Sequence, residues 1–293
     1  MRIIDCIRNA ARELAEAGLP GGELDAQLLL GHCLGKSRTE LYLAGESEIP
    51  PQPLERFTAM LGRRRQREPI AYILGEREFW SLPFTVNPAV LIPRPETEFL
   101  VEQVLAAVGK RQLPQGHMLD LCCGSGVIAI ILALELERDI IAVDLSGEAL
   151  AVARQNCRRH RVEGRVALVR ADLLAAFAGR GRISLLVSNP PYISRREIGE
   201  DLDPEVAAHE PLLALDGGED GLDVIRRIKA GLPELMLPGG EVFVEIGAGQ
   251  GGELLAMFAG EDETRRFFEY VEVLKDYAGR DRVLHVRMAG NTW

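Results

Sequence analysis

Apolar positions in the first third of the chain repeat with a helical period. Ile3, Ile4, Ile7, Ala10, Ala11, Leu14 and Ala15 share one face of a helix over residues 3–17, which Gly18 stops. A second apolar helix is predicted near 23–34, ending at Gly35, with Ser37 as the N-cap of a third. The proline-led stretch PPQPLERFTAMLGRRRQRE predicts a fourth helix over about 53–67. Residues 1–70 therefore read as a small helical bundle. The pattern then changes to REFWSLPFTVNPAVLIPRPETE, rich in aromatic and β-branched residues and punctuated by Pro83, Pro88, Pro93 and Pro95. It predicts a β-hairpin and extended linker over 71–95, leading into a helix near 96–108.

From His117 onward short apolar runs alternate with helical segments. HMLDLC, DIIAVDL, RVALVRAD, ISLLVSN and GEVFVEIG are strands, separated by helices near 126–136, 147–160, 221–236 and 250–259. That alternation implies an α/β domain over 96–293, a parallel sheet with helices on both faces. FFEYVEVLKD and DRVLHVRM follow each other with only a turn between them and are predicted to close the sheet as an antiparallel pair. Ligands of such sheets bind at the carboxyl ends of the strands, so those ends are where chemistry is expected.

Composition narrows the class. The 293 residues suffice for two domains with real cores, and 47% apolar against 27% charged is ordinary for a globular protein. The longest apolar run, VIAIILAL at 127–134, is too short to span a bilayer, and Asp5, Glu13 and Glu16 break any leader-like start. No membrane partner is expected. The five cysteines (6, 33, 122, 123 and 157) form no C-x-x-C pair and the five histidines are scattered, so a reduced cytoplasmic setting and no metal site are expected. The net charge of −10 is uneven: residues 1–90 carry 11 Lys/Arg against 12 Asp/Glu, and the remainder 23 against 32. An acidic chain is a poor electrostatic partner for duplex nucleic acid, which argues against direct nucleic-acid binding. GRRRQRE at 62–68 reads as a solvated helix end, with arginines favoured by the helix dipole; a docking patch is the sharper alternative.

Three successive strand ends carry a nucleoside-shaped set. The first strand runs into LDLCCGSGVIA, where Gly124 and Gly126 let backbone approach a ligand closely. Asp144 ends the second strand, placed to accept hydrogen bonds from ribose hydroxyls, and Asp172 ends the third, placed to receive an adenine amino group. Gly124-x-Gly126-x-x-Ala129 also fits the dinucleotide fingerprint, so the pattern alone does not choose the nucleoside. Asp120, just before the Gly-rich turn, is an awkward neighbour for a pyrophosphate but suits a cationic ligand, which favours S-adenosylmethionine over NAD.

The fourth strand ends in VSNPPYIS, residues 187–194. A planar –NH2 group is a poor nucleophile because its lone pair is delocalised. The Asn189 side-chain oxygen can accept one of its hydrogens and the Pro190 carbonyl the other, favouring the sp3-like transition state of methylation. Pro190 and Pro191 hold these acceptors in place, which is electrostatic preorganisation, and Tyr192 offers a ring face for a flat amide or base.

With Asp120 to Gly126, Asp144, Asp172 and Asn189-Pro190-Pro191-Tyr192 in this order, the chain resembles class I S-adenosylmethionine-dependent methyltransferases. VLIPRPETE at 90–98, HEPLLALDGGEDGLD at 209–223 and EIGAGQGGE at 245–253 narrow the resemblance to the PrmC/HemK family, protein-(glutamine-N5) methyltransferases of peptide chain release factors. It covers essentially the whole chain. The resemblance implies a Rossmann-like seven-stranded sheet behind an N-terminal helical domain that docks the substrate. It implies methyl transfer from S-adenosyl-L-methionine, leaving S-adenosyl-L-homocysteine, to the glutamine of the Gly-Gly-Gln motif of class 1 release factors. Carried over by position, Cys122, Cys123, Gly124, Ser125, Gly126, Asp144, Asp172, Leu173 and Asn189 would line the cofactor site, and Asn189, Pro190, Pro191 and Tyr192 would hold the glutamine amide. A monomer is expected. Cys122 departs from the family pattern by replacing the usual first glycine of the turn, and Leu173 by standing where some relatives have an aromatic residue. An adenine-N6 DNA or RNA methyltransferase, a dinucleotide-dependent oxidoreductase and a non-catalytic nucleoside-binding regulator are the alternatives. The first shares NPPY, the second leaves NPPY and PRPETE idle, and the third would bind cofactor without methyl transfer.

Overall fold

A computed structural model describes residues 1–177, 181–260 and 264–290. Two compact units emerge: Met1–Glu76 together with Asp203–His209, and Arg77–Leu202 together with Glu210–Trp293.

The first unit contains α1 (Ile3–Glu16), α2 (Gly22–Leu34), α3 (Arg38–Leu43), α4 (Pro51–Arg65) and α5 (Ile70–Leu74). The buried stripe of α1 is Ile3, Cys6, Ala10 and Leu14, whereas Ile4 is exposed. The helix is thus rotated slightly from the expected face, bringing Cys6 inward. Ser37 caps α3 with a reciprocal bond to Glu40, a capping box that satisfies two otherwise orphaned backbone donors. α5 falls in the span expected to open the hairpin linker. It is short and follows Pro69, whose fixed φ starts a helical turn.

GRRRQRE is not simply a solvated helix end. Arg64 is buried and bridges Asp25 at 2.7 Å and Glu205 at 2.8 Å, Arg63 pairs with Glu68, and Arg67 donates to the carbonyl of Gly18. These arginines hold their own unit together instead of forming a free basic patch. Sequence periodicity could not reveal this, because Glu205 comes from a distant segment.

The second unit begins with a hairpin of β1 (Glu76–Phe79) and β2 (Leu82–Thr85), then α6 (Pro95–Lys110). β3 (His117–Leu121), α7 (Val127–Glu135), β4 (Ile140–Asp144), α8 (Gly147–Arg159), β5 (Val166–Arg170) and β6 (Ile183–Ser188) follow. After β6 come α9 (Arg195–Glu200) and α10 (Pro204–His209), of which α10 groups with the helical unit. α11 (Asp223–Leu235), β7 (Met236–Glu245), α12 (Gly251–Ala259), β8 (Phe268–Lys275) and β9 (Asp281–Met288) complete the chain.

The seven-stranded sheet has the order β5-β4-β3-β6-β7-β9-β8, parallel through β7 and closed by an antiparallel pair. One face is covered by α6, α7, α8 and the hairpin phenylalanines Phe79 and Phe84, the other by α11 and α12. α7 is apolar all round because Val127–Ala133 are all buried, the signature of a central helix. Among the described residues no helix is long and apolar enough to cross a membrane.

Strand order reverses between β3 and β6, so a crevice opens at their carboxyl ends. The register sets Leu121 opposite both Val143 and Ser188. The next position on each strand therefore lies at one level: Cys122 just past β3, Asp144 ending β4 and Asn189 just past β6.

Candidate active site

At this switch point lies a cavity of about 470 Å³. Cys122, Cys123, Gly124, Ser125, Asp144, Asp172, Leu173, Asn189 and Pro191 line it, so most of the residues singled out from sequence meet there. Gly126, Pro190 and Tyr192 do not line it. Gly126 lies in the left-handed region (φ 82°) one residue before α7, and Pro190 is buried.

The Gly-rich turn is held by side chains from behind and in front. Asn156 is fully buried on α8. Its amide nitrogen donates to the carbonyls of Ser125 and Thr85 at 2.9 and 3.0 Å, and its oxygen accepts from the Thr85 N–H. One side chain thereby locks turn and hairpin to α8. In front, Asp144 accepts from the Gly124 N–H through one oxygen and from the Ser146 N–H through the other, both at 2.8 Å. Burial raises its pKa, and these N–H donors oppose the rise. A carboxylate has about four acceptor positions, so capacity remains for ligand hydroxyls.

Cys122 occupies left-handed backbone (φ 59°), and burial pushes its thiol pKa far up, so it stays neutral. The turn thus needs a conformation that costs a side chain about 1–3 kcal/mol and glycine almost nothing. Cys122→Gly is expected to raise the melting temperature by about 2–4 °C. A scanning calorimetry experiment in which the substitution lowered it would remove strain as the reason for a glycine here.

Asp120 behaves differently from the sequence expectation. It is fully buried beneath the turn, its Oδ2 accepts the Ala129 N–H at 3.0 Å, Oδ1 has no partner, and it does not line the cavity. Burial pushes its pKa up to about 8. Because the folded pKa lies above the ordinary carboxyl value, the stability it contributes is complete at low pH and is lost as pH rises toward 8. Asp120→Asn should therefore raise thermal stability more at about pH 8 than at about pH 5; an equal gain at both would mean that the carboxyl does not titrate there.

The exit from NPPY is clamped by the two glycine-rich segments. Ile193 exchanges backbone bonds with Leu215 and Gly217, and Gln250 Nε2 donates to the Tyr192 carbonyl at 2.9 Å. A Cβ on Gly217 would lie 2.8 Å from the Tyr192 Cα, which explains the glycine in LDGGEDGLD.

Several residues of the wall carried no assigned role in the sequence. Pro211, Leu213 and Ala214 form a strap along the cavity with Pro93 and Arg94. The buried Glu210 joins the two segments by accepting from Arg94 and from the Ile92 N–H. Thr97 Oγ1 receives the Asn189 amide hydrogen at 3.2 Å. Glu245, at the end of β7, receives the Tyr192 hydroxyl at 3.3 Å. Tyr192 thus turns its polar end to a carboxylate behind the wall. The motifs PRPETE, HEPLL and EIGAG were visible as strings, but only the fold reveals that they meet.

The wall carries four carboxylates (Asp144, Glu148, Asp172 and Asp216) and two arginines. Arg94 is engaged by Glu210, and Arg227 binds Asp172 at 2.7 Å. That charge balance favours a cationic ligand, while Leu145, Ala171, Leu173 and Val224 give a flat ring apolar contact. The Gly124 N–H, which a pyrophosphate would need, is already taken by Asp144. Among the described residues no cluster could hold a metal ion.

A seven-stranded sheet, parallel through β7 and closed by an antiparallel pair, with this crevice defines a Rossmann-like methyltransferase. The "PrmC N-terminal domain" family model matches residues 5–75 and the "Methyltransferase small domain" model residues 95–219. The chain is 40% identical to the release factor glutamine methyltransferase of Geobacter sulfurreducens, over 94% of this chain and 93% of that one. It is also 40% identical to that of Cereibacter sphaeroides, over 98% and 99%. The hMettl16 catalytic domain shares the fold, with a TM-score of 0.54 at 13% identity, covering 79% of this chain and 81% of that one. This chain belongs to the release factor glutamine methyltransferase family.

Proposed function

We propose that this chain transfers a methyl group from S-adenosyl-L-methionine to the side-chain amide nitrogen of the glutamine in the Gly-Gly-Gln motif of class 1 release factors, in the cytoplasm and as a monomer. The observation that carries the reading is the placement of Asn189 at the cavity wall with its amide hydrogen given to Thr97. That bond leaves the Asn189 oxygen as the free acceptor.

The cavity suits the cofactor in donor set and charge. Asp144 would take the ribose hydroxyls, Asp172 and Leu173 would meet the adenine, and the turn Cys122–Gly126 would run beneath the amino-acid part. Bound S-adenosyl-L-methionine supplies a methyl group already activated on a sulfonium. Asn189 Oδ1 accepts one hydrogen of the substrate amide and the Pro190 carbonyl the other, aiming the nitrogen and favouring the charge that develops on it. Pro190 and Pro191 keep both acceptors from reorganising. In-line positioning supplies up to about 7–11 kcal/mol. No residue acts as a covalent nucleophile.

The helical unit of residues 1–70 docks the release factor. The exposed Tyr42 and Leu43 of α3 support this by offering apolar contact on a domain without chemistry of its own. The hairpin region 71–95 links it to the methyltransferase domain of 96–293.

Incubation with methyl-tritiated cofactor tests the reading. Label should enter a class 1 release factor and fail to enter the same factor with its Gly-Gly-Gln glutamine replaced by alanine. Label in adenine of DNA or RNA, with none in the factor, would overturn it in favour of the nucleic-acid reading.

A further inference from the structure

Two consecutive prolines leave NPPY short of backbone donors, because Pro190 and Pro191 have no N–H to give. The direction of the loop must therefore be fixed from its ends. At the entrance stands β6, whose residues Ile183–Ser188 are all buried. At the exit the chain has left that strand, and neighbouring segments supply the anchors. The Ile193 N–H donates to the Leu215 carbonyl at 3.1 Å, and the Ile193 carbonyl accepts from the Gly217 N–H at 2.8 Å. The Tyr192 carbonyl, on the other side of the same planar peptide unit as the Ile193 N–H, is met by Gln250.

Gln250 uses its whole amide. Nε2 donates to the Tyr192 carbonyl at 2.9 Å and to the Gly221 carbonyl at 3.3 Å, and Oε1 accepts from the Gly247 N–H at 2.8 Å. The two carbonyls can only accept and the N–H can only donate, so this orientation of the amide is the one that satisfies all three. NPPY, the LDGGEDGLD segment that runs into α11 and the EIGAGQ segment that follows β7 are thereby joined at one side chain.

The surrounding glycines leave the room this amide needs. Gly221 is left-handed (φ 79°), and a Cβ there would strike the Tyr192 carbonyl oxygen and lie 2.7 Å from Gln250 Nε2. A Cβ on Gly247 would lie 3.1 Å from Gln250 Oε1. The base of the side chain is equally fixed. Gln250 is the N-cap residue of α12, its N–H bonded to the Gly247 carbonyl and its carbonyl to the Leu254 N–H, both at 3.0 Å. Leu254 and Phe258 bury that helix in the core beside β7. Glu245, at the head of the same segment, takes the Tyr192 hydroxyl at 3.3 Å, so EIGAGQ holds this tyrosine at its main chain and at its ring.

We propose that Gln250 is a positioning residue for methyl transfer: by holding the Tyr192 carbonyl it fixes the direction in which the Asn189 and Pro190 acceptors meet the substrate amide. This rests on the reading of those two acceptors given above and adds what aims them. Gln250 does not line the cavity, so its loss acts on the aim of the acceptors and leaves the cofactor site in place. Misplacing a positioned group by about 1 Å typically costs about 100-fold in rate.

Gln250→Met keeps the length of the side chain and removes all three bonds. In the full chain kcat should fall about 10- to 100-fold, with KM for a class 1 release factor and calorimetric cofactor affinity within about threefold of the parent. Gln250→Glu keeps the shape but sets a carboxylate against two carbonyls, and should lose more. Space filling alone would leave both variants near the parent, and a general loosening would move cofactor affinity together with kcat; either result overturns the proposal.

Amide hydrogen exchange followed by NMR reads the clamp without any substrate. In Gln250→Met the Ile193 and Gly217 N–H groups should exchange about tenfold faster or more, while the amides of β6 keep parent rates. Parent-like protection of Ile193 and Gly217 overturns the proposal whatever the kinetics. If the methionine variant does not fold, Gln250→Asn, which keeps the amide but falls one methylene short, decides by the same two readings. A parent that methylates no release factor, with these amides still losing protection in the variant, overturns the substrate reading and leaves the clamp supported.

Discussion

Asn189→Ala is expected to bind cofactor with near-parent affinity and to lose about 100- to 1,000-fold in kcat. On the reading proposed above, the Asn189 oxygen is the acceptor that strengthens as the amide nitrogen gains charge, so its loss should be felt in the transition state far more than in binding. Cofactor affinity should survive, because the turn, Asp144 and the Asp172–Leu173 corner, proposed above to hold the cofactor, line the cavity independently of it, and only the wall contact of Asn189 is removed. Alanine also leaves the buried Thr97 hydroxyl without its amide partner, a cost to stability of about 1–3 kcal/mol that melting curves can separate from the kinetic loss. Isothermal titration paired with single-turnover rates distinguishes the outcomes. Loss of cofactor affinity with rate intact would mean that Asn189 builds the cofactor pocket and does not activate the amide.

Glu210→Ala is the second large effect, and it acts on architecture. Its carboxylate is 1% exposed and joins Arg94, at the start of α6, to the strap that begins at Pro211. Removing it strands the Ile92 N–H and leaves Arg94 without its counter-ion. Breaking a buried pair in this way typically costs about 3–5 kcal/mol. Arg94 is 33% exposed on its side chain and can turn toward water, which places the expected loss at the lower end. Because Pro93, Arg94, Pro211, Leu213 and Ala214 all line the cavity, cofactor affinity should fall about tenfold or more together with stability. Calorimetric melting and cofactor titration measure both. Unchanged affinity in a destabilised variant would show that the strap does not shape the binding site.

The sheet was legible in the sequence because its central strands are buried on both faces. ISLLVS and IIAVD are short, largely apolar runs, bounded by turn residues and without the period of an amphipathic helix. Strand ends were legible for the same reason, so Asp144 and Asn189 were placed at the crevice by counting to where the apolar run stops. Less legible were elements whose conformation depends on distant partners. α9 and α10 are six residues each, below the length at which periodicity speaks. Arg64 looked like a solvated cation until Asp25 and Glu205 converged on it. Asp120 looked like a ligand for a cation because its position beside the turn was visible and its burial beneath it was not.

The site shows the same division. Residues that touch the cavity through strand ends and turns could be read one by one. Those that hold the first set in place could not: Thr97, Glu210, Glu245 and Asn156 are ordinary polar residues, made significant by partners far along the chain. Cys122 is an intermediate case. Its departure from the family's glycine was visible, while the positive φ that makes glycine preferable belongs to the structure.

The most direct test of the central claim is tandem mass spectrometry of a class 1 release factor incubated with this protein and S-adenosyl-L-methionine. The account predicts one added methyl group, on the side-chain nitrogen of the Gly-Gly-Gln glutamine, absent when Asn189→Ala is used for the same short time. An unmodified glutamine, under conditions where calorimetry shows the cofactor bound, would contradict it.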